Sequence, residues 1–117
     1  MKRTAKKTNC VYVIELDKKV LEVKKFRKEN SQYKKGNPCV YVGQTSKTPE
    51  ERFNEHKNRK KSKKGWDLSS RFPREFGIKL ISEYTSAPKS YSVSEAKRQE
   101  KILTNTLKKK LWAVYSR

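Results

Sequence analysis

Apolar residues in this chain fall in short, separated runs, and two of those runs share the letters CVYV, at residues 10–13 and 39–42. Each alternates β-favouring residues and predicts a strand. In the first, Val11 and Val13 fall on one side and Cys10, Tyr12 and Ile14 on the other. In the second, Val40 and Val42 oppose Cys39, Tyr41 and Gly43. Side chains alternate across a strand, so the two tyrosines can share one face of one sheet. Residues 77–81 (GIKLI) predict a third strand and residues 111–115 a short edge strand. Residues 17–38 between the first two strands are highly charged and end in the turn signal Gly36-Asn37-Pro38. That stretch is too long for an ordinary hairpin loop, and it predicts an insert that projects or holds irregular structure.

Two segments carry helix-start signals. Thr48 caps, Pro49 suits the first helical position and Glu51 closes a capping box, predicting a helix to about Lys61. Phe53 is its only large apolar residue, and beside it Arg52 and His56 stack at i and i+4. Residues 66–77 read as a loop, broken by Gly65 before it and Pro73 within it. A second box, Ser92 to Glu95, opens a helix to about Lys109 whose stripe is Val93, Ala96, Leu103 and Leu107. Glu100 falls inside that stripe, where a carboxylate is costly unless a cation pairs with it or is coordinated by it.

The 117 residues fit one domain with a modest core, because only 32% are hydrophobic. Residues 10–117 form that domain, and the basic residues 1–9 read as a flexible arm rather than a signal peptide, having no apolar stretch behind them. Thirty-one Lys and Arg against 12 acids give a formal charge of +19. Such an excess repels itself, and a polyanion relieves it; nucleic acid is the partner expected, DNA first. No apolar run approaches the roughly 20 residues of a membrane span, and no basic stretch has an apolar face wide enough to lie in lipid. Lys57, Arg59, Lys60, Lys61, Lys63 and Lys64 lead into Gly65-Trp66. This run is either a solvated face or a phosphate-tracking surface on which Trp66 stacks against an unpaired base. Lys24, Lys25, Arg27 and Lys28 could form a second basic arm. If the two strands pair antiparallel with their tyrosines as neighbours, Cys10 and Cys39 lie at opposite ends and cannot bridge. With no CxxC and a single His, a zinc cluster is also excluded. The cysteines read as reduced core residues of an intracellular, cytoplasmic protein.

Two same-face tyrosines, an Arg and a His one turn apart and a Glu within an apolar stripe form a set, and in that set the sequence resembles the GIY-YIG nuclease family. Val11-Tyr12 matches the second and third letters of the first motif, and Tyr41-Val42-Gly43 matches the second motif. Arg52, His56 and Glu100 follow in the family's order, so the resemblance covers about residues 10–109. It implies an α/β fold, a small three-stranded antiparallel sheet flanked by helices, and a metal-dependent endonuclease cutting DNA. On that pattern Glu100 binds one Mg²⁺ (or Mn²⁺), Arg52 offers a planar donor fork to the scissile phosphate, Tyr12 acts as general base with His56 as relay, and Tyr41 holds water or phosphate; the two tyrosines could exchange roles. Gly43 belongs to the substrate side of the second motif. The sequence departs from the family in carrying Cys10 where the first motif normally has glycine. It also lacks a matching asparagine after the glutamate, Asn105 standing too close to Glu100. The charged insert is similar to loops that help restriction-type members bind DNA. A catalytically inactive nucleic-acid-binding protein of the same fold is the alternative, and a small basic RNA-associated protein with ordinary core tyrosines is a third. A homodimer is one way so short a chain could gain specificity.

Overall fold

Strands β1 (Cys10–Leu16) and β2 (Cys39–Thr45) pair antiparallel along their whole length, with Tyr12 opposite Gly43 and Ile14 opposite Tyr41. The structure is a computed structural model that describes residues 6–58 and 71–116. Cys10 faces Thr45 and Cys39 faces Leu16, so both thiols are free, buried and at opposite ends of the ladder. Burial pushes both thiols above their ordinary range, which keeps them protonated and inert.

β3 (Gly77–Leu80) adds antiparallel to β1, and β4 (Ala113–Ser116) adds parallel to β2, giving the order β3-β1-β2-β4. The sheet is therefore mixed and four-stranded, where three antiparallel strands were expected. The difference lies in β4: a parallel neighbour needs a long crossover, and everything between β2 and β4 serves as one.

Both faces of the sheet are covered. Tyr12, Ile14, Leu16, Cys39 and Tyr41 pack on one side with Val20, Phe26 and Phe72. Val11, Val13, Val40 and Val42 pack on the other with Ala96 and Leu107. The strands are apolar on both sides for this reason, as central strands must be.

The insert packs onto the tyrosine face instead of projecting. A 3-10 turn (Lys18–Glu22) buries Val20, and helix α1 (Lys24–Lys28) buries Phe26 edge-on to Phe72 at 5.4 Å between ring centres. Just beyond α1, buried Asn30 donates to the Phe26 carbonyl (2.9 Å) and accepts the backbone N–H of Val114 (2.7 Å), pinning β4.

Helix α2 (Pro49–Lys57) starts with the full capping box and ends at Lys57, short of the expected Lys61. Helix α3 (Arg71–Phe76) occupies part of the stretch read as a loop. Pro73 is its third residue, within the first turn, where a missing N–H leaves no bond unmade. Helix α4 (Val93–Lys109) opens with Ser92 accepting the Glu95 N–H at 3.2 Å. Its stripe is narrower than expected, since Val93 is half exposed. Asn9, assigned to the arm, is buried and exchanges two 2.8 Å backbone bonds with Tyr91. No helix among the described residues is long and apolar enough to cross a membrane.

Candidate active site

The antiparallel register sets Tyr12 and Tyr41 side by side, their ring centres 6.2 Å apart. Helix α2 then brings His56 beside both rings, its ring centre 6.0 Å from that of Tyr12 and 5.6 Å from that of Tyr41. The Tyr12 hydroxyl lies 3.0 Å from His56 Nε2, the direction of the bond depending on the tautomer. His56 has no exposed surface, so it reaches the outside only through its neighbours.

Gly43 makes room for this arrangement. A Cβ at that position would stand 2.5 Å from the Tyr12 hydroxyl, closer than any side chain tolerates. The glycine of the second CVYV run is thus the seat of the first run's tyrosine.

Arg52, one turn before His56, is half-buried and donates to Glu55 at 2.9 Å, and Glu55 also pairs with Lys47. Lys47 first, and Arg52 after it, hold the Glu55 carboxyl below its usual range. Burial would weaken the charge on Arg52, but Glu55 and the Tyr12 oxygen more than offset that and strengthen it. Burial, with Tyr41 adding, raises the Tyr12 phenol well above its ordinary value, while Arg52 pulls the other way.

A cleft of about 600 Å³ opens over these groups. The last β4 residue paired to β2 is Ser116, opposite Val42, and the cleft lies just beyond it, beside Gly43 and Gln44. There α4, which packs on the valine face, brings Glu100 to the same opening as Tyr12, Tyr41 and Arg52. Lys97 and Lys101 line it too, so the walls carry three cations to one carboxylate.

Of the residues singled out in the sequence, Tyr12, Tyr41, Gly43, Arg52 and Glu100 meet in this cleft, with His56 directly behind. Lys57 does not line it. Its ammonium donates to the backbone carbonyls of Gly77 (2.8 Å) and Arg74 (3.3 Å), tying α2 to α3 and β3. Arg59, Lys60, Lys61, Lys63, Lys64 and Trp66 lie outside the described residues. Sequence reasoning missed Lys97 and Lys101, because lysines on an exposed helix carry no mark of the cleft beside them.

Among the described residues, no three His, Cys, Asp or Glu side chains cluster as a metal cage. The cleft offers one carboxylate, Glu100, with neutral oxygen groups from Thr104, Asn105 and Ser116 on its walls. An all-oxygen donor set with one carboxylate and space for water fits a hard cation such as Mg²⁺ or Mn²⁺, which keeps most of its waters.

The sequence model of the GIY-YIG catalytic domain matches residues 8–112, nearly the whole chain. No curated protein and no solved structure matches it.

Proposed function

Because this chain belongs to the GIY-YIG nuclease family, we propose that it is a metal-dependent endonuclease that hydrolyses phosphodiester bonds in DNA. One observation carries the reading: residues 12, 41, 52 and 100, far apart in sequence, line a single cationic cleft. A nucleic-acid-binding protein has no need of a carboxylate there, since a negative charge repels the backbone it would hold.

Each residue then has a part. Arg52, held by Glu55, presents its remaining donors to the scissile phosphate as a fork, in a half-buried setting that strengthens charge-assisted bonds. Tyr12 keeps its proton at neutral pH, so it is not a ready-made phenolate. It acts by accepting a proton from the attacking water while passing its own to His56 Nε2, 3.0 Å away. His56, fully buried, serves as relay and positioning residue. Tyr41 steadies the water or a phosphate oxygen. Glu100, with the neutral oxygens around it, would hold one Mg²⁺ or Mn²⁺, which when bound supplies positive charge to the phosphoryl and departing oxygens.

The test is nicking of supercoiled plasmid DNA. Wild type is expected to nick with Mg²⁺ and not with EDTA, and Glu100→Ala to lose nicking while still binding DNA. Equal nicking by both would reject the role of Glu100, and no nicking by either under any divalent ion would leave the inactive binding protein as the answer.

A further inference from the structure

Helix α4 contributes more to the cleft than Glu100. Lys97, Lys101 and Asn105 recur every four residues along one side of the helix, and all three line the opening. Four residues of α-helix rise about 6 Å, close to the ~6.8 Å that two nucleotide steps rise along the axis of a DNA duplex. Both lysines are exposed, and among the described residues neither has an ion pair or a side-chain hydrogen bond. Arg52, by contrast, is fastened to Glu55. The basic face of α1 has a different character: Lys24, Lys25 and Lys28 line a separate hollow with Glu29, and the Lys25 ammonium sits over the Tyr115 ring.

We propose that Lys97 and Lys101 form a phosphate rail, gripping the cleaved strand of duplex DNA along the α4 wall of the cleft. The proposal rests on the nuclease reading of the same cleft and deepens it: α4 would carry both the metal-binding carboxylate and the grip on neighbouring phosphates. The two lysines bind ground state and transition state alike, so their loss should raise KM and leave kcat nearly unchanged.

The test measures binding of a labelled duplex by fluorescence anisotropy as salt is varied, with every protein in the Glu100→Ala background so that the DNA stays intact. Lys97→Gln and Lys101→Gln are each expected to lower the slope of log K against log salt by about one. Each should weaken binding about 8-fold at ~0.1 M salt, and the double variant should lower the slope by about two. Lys79→Gln, on β3 at the far edge of the sheet, should leave the slope unchanged. Nicking assays of the same lysine variants with Glu100 intact should show the rise in KM. An unchanged slope in the double variant, with wild type still nicking, would overturn the rail and leave the nuclease reading standing. A normal slope with an altered Mg²⁺ requirement would also overturn it, showing that the lysines act on Glu100 instead. Lowered slopes in a chain that never nicks would uphold the rail and remove the nuclease.

Discussion

In the proposed reaction Tyr12 is asked to be both buried and reactive, and those demands conflict. The residue is 1% exposed, which stabilises the core but makes the phenolate form expensive. The neighbouring phenol of Tyr41 adds to that cost, and Arg52 offsets only part of it. In the proposed mechanism the imidazole 3.0 Å away would resolve the conflict, because a proton handed on as another arrives leaves no phenolate behind. kcat should therefore stay within about twofold between about pH 8 and pH 9.5, below the range of an ordinary phenol near ~10. A tenfold rise per pH unit over that window, measured in single-turnover nicking, would show that the free phenolate is the base. Tyr12→Phe should cost on the order of 10²–10⁴ in rate. The same shift has a sign for stability: the raised phenol favours the folded state below about pH 10, and that contribution fades as pH rises through the folded value.

Among the elements, the insert and β4 depend on each other. A strand at a sheet edge exposes unpaired backbone groups, and here the Asn30 carboxamide takes up the Val114 N–H while Gln32 donates to the Trp112 carbonyl at 2.8 Å. Asn30→Ala would leave the Val114 N–H and the Phe26 carbonyl without those bonds in a buried setting, and a loss of about 1–3 kcal/mol is expected in urea unfolding. The pattern of residues announced β1, β2, β3, both capped helix starts and the shared face of the tyrosines, because each rests on spacing within a few residues. It did not announce the insert's packing, where Val20, Phe26 and Asn30 follow no single period. Nor could it give the parallel register of β4, which joins Ala113 to Cys39 across the length of the chain. Glu100 was legible as a misplaced carboxylate in an apolar stripe. Lys97 and Lys101 were not, since lysines on an exposed helix look alike until the cleft beside them is known.

For the molecule as a whole, a charge of +19 on 117 residues dominates long-range behaviour. Binding to DNA should weaken about 10³-fold between about 50 and 200 mM salt, the loss carried by about six phosphate contacts. A flat response in a filter-binding or anisotropy titration would contradict the assignment of a polyanion partner. Within that general attraction the cleft sets three cations, Arg52, Lys97 and Lys101, on the same walls as one carboxylate, Glu100.

Ser116 completes the wall that Tyr12 begins, and between them the cleft draws on β2, α2 and α4. A partly synthesised or proteolytically clipped chain could keep both tyrosine runs and still lack the helix that bears Glu100 and the strand that ends at Ser116. On the nuclease reading, hydrolysis would thereby be withheld until the polypeptide has closed on itself, a safeguard built from topology alone.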